Sequence, residues 1–322
     1  MTTPPLIESF ELNITESDFP TSLSQTHPAV TRLYGRGHRD LVAAMGKTPG
    51  LAIVGSRQAT SQGLSDAHWY ASVVSQAGMT VISGLAQGID ASAHSGALTG
   101  AGSTIAVLGH GLQTIYPPQH QALSREILDR GGAIITEYAV GTPALPAHFP
   151  QRNRIIAALS RAVLVVEATP KSGSLITARH ALDLGIDVFV VPGSIHMMQS
   201  TGCNALIRQG AQLTQSPEQL LEDLGLRPPK KWQPGPGHPK SFASKNKRLV
   251  PKTGQHNLAA DLDPLTDRTL QGLDFYPKTV GELETLTGVA ERDLYGALLV
   301  LELCGLASRT PDGKWLRYRS KI

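Results

Sequence analysis

Leu51-Ala52-Ile53-Val54-Gly55, then Ser56-Arg57-Gln58-Ala59-Thr60-Ser61-Gln62-Gly63, then helix-spaced apolar residues from Leu64 to Gln76, decide the fold. A short apolar run without alternation fits a strand covered on both faces. Gly55 lets the chain turn tightly, and a polar loop leads into an amphipathic helix. This is the first half of a βαβ unit, and the pattern recurs outward from it. Further strands are expected at Thr80–Ser83, Thr104–Leu108, Ala133–Thr136, Ala162–Glu167 and Asp187–Val191. Helical spacing falls between them, at Ile89–Leu98, His120–Leu128, Arg154–Leu159 and Ser174–Leu184. The expected fold is α/β, βαβ units around a parallel sheet with helices on both faces, over residues 48–225.

The flanks differ. Residues 1–47 are expected to be an ordered lead-in, because Pro20, Pro28 and Gly35-Arg36-Gly37 break any long periodicity. Residues 226–260 are expected to be a basic, proline-rich linker. Within 227–252 stand eight basic residues, six prolines and no acid, a composition that cannot bury a core. It serves either as a solubilising tether or as a contribution to polyanion binding. From 261 to 322 three helices (Leu265–Leu273, Val280–Thr287, Glu291–Leu303) precede a hairpin of Leu306–Arg309 and Lys314–Arg319. Gly305 ends the third helix and Pro311-Asp312-Gly313 turns the hairpin, the order of a small winged helix-turn-helix domain.

Net charge is +3 over 322 residues, so local distribution must decide whether a polyanion is the partner. Cys203 and Cys304 show no metal spacing and no disulfide framework, which fits a reducing, cytoplasmic setting. Neither a signal peptide nor an apolar run of membrane-spanning length is expected.

Three segments carry a cation beside glycine, serine or a helix start. Gly55-Ser56-Arg57 follows the first strand, and Arg57 offers a bidentate grip on phosphate. Phe149-Pro150-Gln151-Arg152-Asn153-Arg154 places two arginines at an expected helix start, where free N–H groups favour an anion, and a phenyl ring on which a base stacks. Lys171-Ser172-Gly173-Ser174 supplies a point charge with hydroxyls. Ser83-Gly84-Leu85-Ala86-Gln87-Gly88-Ile89-Asp90 and Val107-Leu108-Gly109-His110-Gly111 are further glycine-rich strand exits at the ligand-binding carboxyl edge. Asp90 and His94 share a helical face. They form either an acid–base pair or a dipole-favoured acid with its hydrogen-bonded neighbour, and the lack of a nearby nucleophile favours the second reading. Glu167 is either a catalytic carboxylate or an organiser of nearby cations. His196 has no partner at metal-ligand spacing.

Gly55-Ser56-Arg57, Ser83 to Asp90, Phe149 to Ile156 and Lys171 to Ala178 together resemble the DprA/Smf family (DNA-processing protein A), over roughly residues 30–225. The C-terminal part resembles the winged-helix domain that ends many members, whereas a full N-terminal helical domain of the longer members is not expected. The resemblance implies an extended Rossmann-like core and a homodimer that binds single-stranded DNA and delivers it to the RecA recombinase during natural transformation. It implies no catalysis, no cofactor and no metal. By motif, Arg57 and Lys171 would hold phosphates, Arg152 and Arg154 would line the pocket, and Phe149 would stack on a base. Gly55, Ser56, Asn153, Ser172, Gly173 and Ser174 complete the expected DNA-binding set.

Two other classes remain in view. A nucleotide phosphoribohydrolase of the lysine-decarboxylase-like Rossmann group would carry Pro-Gly-Gly-x-Gly-Thr-x-x-Glu, which the chain lacks. A duplex-binding regulator would use Glu291–Leu303 as its recognition helix, where Glu291, Asp293 and Glu302 suit a protein contact better than a major groove.

Overall fold

The computed structural model describes residues 9–100, 103–227, 263–273, 278–303, 306–310 and 313–317. Most of the basic linker, with Cys304, Gly305 and the Pro311-Asp312 turn, lies outside the described residues. The chain divides into two compact units, Met1–Ala243 and Ser244–Ile322.

The first unit runs β1 (Ser9–Asn13), β2 (Arg32–Gly37), α1 (Arg39–Ala44), β3 (Gly50–Val54), α2 (Ser61–Gln76), β4 (Val81–Ser83) and α3 (Ile89–Thr99). It continues with β5 (Thr104–Val107), α4 (Gln121–Asp129), β6 (Ala133–Thr136), α5 (His148–Ala158), β7 (Ser160–Val165) and α6 (Ser174–Asp183). It ends with β8 (Asp187–Val190), α7 (Met198–Arg208), β9 (Gln212–Leu213) and α8 (Pro217–Asp223). Among the described residues these strands form one nine-stranded sheet in the order β1-β2-β6-β5-β4-β3-β7-β8-β9.

From β6 to β9 every neighbouring pair is parallel, and β2 joins β6 antiparallel. The sheet is therefore mixed at one edge, where the lead-in adds two strands. Chain progression reverses between β3 and β7, which opens the crevice where doubly wound sheets bind ligands. Both faces are covered. In β3 and the β7 region, Leu51, Ile53, Ala162 and Leu164 face one core with α2, α3 and α8. Ala52, Val54, Val163 and Val165 face the other, with α5, α6 and α7. That alternation inside a run apolar at every position is the mark of a strand buried twice. Each large side chain so buried contributes about 1.5–3 kcal/mol.

Local signals set the helix ends. The Thr60 hydroxyl accepts from Gly63 N–H at the start of α2, and Ser216 does the same for Gln219 at α8, with Pro217 at the first helical position.

The second unit holds α9 (Pro264–Gly272), α10 (Val280–Thr287), α11 (Glu291–Leu303), β10 (Ala307–Arg309) and β11 (Trp315–Arg317), the two strands antiparallel. Thr279 and Glu282 form a reciprocal capping box at α10, and Gly288 closes that helix in the left-handed conformation. Leu270, Leu283, Leu294, Leu298 and Trp315 make a core of its own. No helix among the described residues is long and apolar enough to cross a membrane.

Candidate nucleic-acid interface

The carboxyl edge of the sheet collects the loops that the sequence singles out. After β3, Ser56 N–H donates to the Glu167 carbonyl (2.7 Å), and the Ser56 carbonyl accepts from Ile89 N–H (3.2 Å). The Glu167 carboxylate then accepts from Thr60 N–H (2.9 Å) and from the Thr60 hydroxyl (2.5 Å). Glu167 is thus an organiser of the loop rather than of a neighbouring cation. Gly88, at φ +80°, lies where a Cβ would strike the Ser56 carbonyl, so glycine is required for this close approach. The loop is clipped on both flanks, and Arg57 stands exposed at its tip.

The Arg57 guanidinium carbon lies 5.4 Å from the centre of the Phe149 ring. Tyr116 packs beside the same ring, with centroids 5.6 Å apart at 40°. Arg57, Gly84, Ala86, Gln87, Tyr116, Pro117 and Phe149 line a recess of about 70 Å³. Gly109, from the third glycine-rich exit, packs beneath Phe149. Leu85, between the lining residues Gly84 and Ala86, adopts a left-handed φ of 55°, uncommon for a branched side chain. Full burial and a 2.8 Å hydrogen bond between its carbonyl and His120 Nδ1 hold it there.

The two arginines of α5 are placed differently from expectation. The helix opens at His148, so Arg152 and Arg154 lie beyond the first turn and its free N–H groups. Both are 3% exposed. Arg152 donates to the Gly84 carbonyl at 2.8 Å and to the Val107 carbonyl, and its Nε donates to Asn153 Oδ1 at 3.2 Å. A Cβ at residue 84 would collide with this guanidinium. Burial pushes Arg152 down to about 10, so it stays cationic at neutral pH, and Asp90 supplies an opposing charge. Asp90 is itself pushed upward by burial, with the field of Arg152 and the N–H groups of Gly84 and Ala86 opposing the rise. Arg154 makes a two-pronged pair with Glu137, both contacts 2.6 Å, and donates to the Pro28 carbonyl. Its acceptors are internal, and through Pro28 it ties the lead-in to the sheet. These two arginines are committed to internal acceptors, whereas Arg57 presents an exposed charge.

Lys171 and Gly173 are exposed before α6, and Ser174 is buried at its first position. Ser172 and Ser174 share a hydroxyl contact of 2.8 Å, and Asn153 Nδ2 donates to the Gly173 carbonyl at 3.1 Å, tying this loop to α5. Gly55 and Ser56 form the root of the Arg57 loop. The expected residues therefore share one sheet edge, and Arg57 and Phe149 meet directly.

Asp90 and His94 do not bond to each other. His94 Nδ1 contacts the Thr104 hydroxyl at 2.7 Å, and burial pushes this histidine down to about 3. Cys203 is a free, buried thiol. Among the described residues no cluster of three or more histidine, cysteine or acidic side chains is placed to hold a metal. Tyr116 is the recess-lining aromatic that sequence reasoning missed. Its one signal was an aromatic ahead of Pro117-Pro118, which does not say where the ring will lie.

Comparison with known proteins follows the same lines. A family model described as DNA recombination-mediator protein A matches residues 11–225. Protein Smf of Synechocystis is 38% identical over 316 residues, covering 94% of this chain and 78% of that protein. The crystal structure of DNA processing protein A from Streptococcus pneumoniae superposes with a TM-score of 0.61 at 39% identity, over 68% of this chain and 75% of that one. DNA processing protein A from Helicobacter pylori, studied for its single-stranded DNA binding mode, superposes with a TM-score of 0.60 at 28% identity. That match covers 68% of this chain and 96% of the other.

Proposed function

The chain belongs to the DNA recombination-mediator protein A family, and from that membership we propose that it binds single-stranded DNA and hands it to a RecA-type recombinase during natural transformation. The observation that carries this reading is Arg57 poised over Phe149 beside Tyr116, in a recess at the carboxyl edge of the sheet. A phosphate meets an exposed guanidinium while a neighbouring base finds an aromatic face. This pairing suits any sequence, because every base has a π-face. Lys171 and the Ser172–Ser174 turn extend the path along the same edge. On this reading the protein acts by holding DNA, and Asp90 and His94, both buried, keep internal contacts to the Gly84 N–H and the Thr104 hydroxyl.

On this reading the protein is a cytoplasmic homodimer. Its second unit is a winged helix whose acidic α11 meets protein rather than the major groove. The decisive test is titration of full-length protein with fluorescent oligothymidine at several salt concentrations. Arg57→Ala should weaken binding to all sequences alike and make the log–log salt slope shallower by about 0.7, one phosphate contact. Unchanged affinity in that variant removes the recess from the DNA path. Recombinase delivery is measured separately, as faster RecA filament assembly on strands precoated with single-strand binding protein. No acceleration would leave the protein a binder only.

A further inference from the structure

A second cavity, of about 710 Å³, lies across the Gln113–Pro118 strip from the Phe149 recess. The strip has two sides. Tyr116 and Pro117 wall the recess, while Thr114, Ile115 and Pro118 wall the cavity. Arg36 from β2 and Arg125 from α4 also line it. Among the described residues neither guanidinium has a hydrogen-bond or ion-pair partner, and none of those lining the cavity is acidic. Glu126, the acid next to Arg125 in sequence, is taken by Arg130 at 3.3 Å. Leu128 and Ile134 add apolar surface, and Gln113 and Ser124 add groups able to hydrogen-bond base edges.

Two uncommitted cations, an apolar floor and a few polar groups, within the size range of ligand sites, make a nucleotide-binding chemistry rather than a bare phosphate hole. The geometry points to a second subsite for the same single strand. Nucleotides beyond the one on Phe149 cross the Tyr116-Pro117-Pro118 strip and settle their phosphates between Arg36 and Arg125. This rests on the reading of the Phe149 recess given above. In this cavity the lead-in's own strand, β2, supplies Arg36 and α4 supplies Arg125.

The test compares a thymidine dinucleotide, whose single phosphate is the one Arg57 holds, with an oligothymidine of about 20 nucleotides. Full-length protein carrying both Arg36→Ala and Arg125→Ala should bind the short oligonucleotide as the parent does. It should bind the long one roughly tenfold more weakly, with a salt slope shallower by about 1.4, two single-strand phosphate contacts. The Arg36→Lys, Arg125→Lys pair should recover most of that loss, which a folding defect would not allow. Equal weakening at both lengths, or no weakening with the long strand, overturns the second subsite. Arg57→Ala separates the two readings. It lowers affinity at both lengths if the recess is the primary contact. If it changes neither, the recess falls, and the length dependence of the double variant still decides the cavity.

Discussion

Arg57 and Arg152 lie at one edge of one sheet, near enough that each cation's field bears on the other, yet they do opposite work. Arg57 is exposed on a loop tip over an aromatic ring. Arg152 is buried, its donors given to backbone carbonyls of two neighbouring strand exits and its charge offset by Asp90. The difference teaches that a guanidinium acquires its role from the acceptors within its reach. An arginine whose donors are satisfied inside holds loops in place, and one without internal acceptors is left for a ligand.

The contrast is broken most severely by Arg152→Ala. It leaves Asp90 buried without its counter-charge and the Gly84 and Val107 carbonyls without their donor. A loss of about 3–5 kcal/mol in unfolding free energy is expected from denaturant melts, where Arg57→Ala should lose almost nothing. Next comes Phe149→Ala, expected to cost about 1–3 kcal/mol in oligothymidine affinity through lost base stacking, with Phe149→Tyr near the parent value.

The buried side of the comparison also responds to acid. His94 has a folded-state pKa depressed from 6.5 to about 3 by burial, so its contribution to stability is present above the unfolded pKa and fades as pH falls below it. At about pH 5.5 the loss reaches about 1.4 kcal/mol, and a His94→Gln variant should show a pH dependence of melting weaker by that amount. His68, His110 and His180 are depressed in the same direction by burial, so the parent weakens in acid rather than in base. The smallest effect expected is Arg57→Lys, which keeps the charge but loses the planar fork over Phe149, weakening oligothymidine binding by about 0.5–1 kcal/mol.

The core of the fold is legible in the chain because buried parallel strands leave an unmixed signal. Leu51–Val54 and Ala162–Val165 are apolar at every position, and glycine ends their neighbours. The edge strands leave none. Ser9–Asn13 and Arg32–Gly37 mix charge, glycine and aromatic residues, because an antiparallel edge needs only one covered face. There Gly35 is obscure in the sequence until Phe10 is seen lying across it. The start of α5 was misplaced for a related reason. Pro150 suggests a break, but a proline within the first turn removes an N–H that has no helical acceptor, so the helix runs through it from His148. At the site, Arg57, Phe149 and Lys171 could be named from spacing. The burial of Arg152 and Arg154 could not, since their acceptors come from Pro28, Gly84, Val107 and Glu137, distant in sequence.

Ser56 and Thr60 are fastened to Glu167 on one flank, and Ser56 to Ile89 on the other, before any strand arrives. Association therefore immobilises the rotamers of Arg57 and the freedom of the guest polymer, while the protein backbone contributes almost no ordering entropy. Such a receptor should engage short strands with a small heat-capacity change and an encounter rate governed by charge rather than by rearrangement.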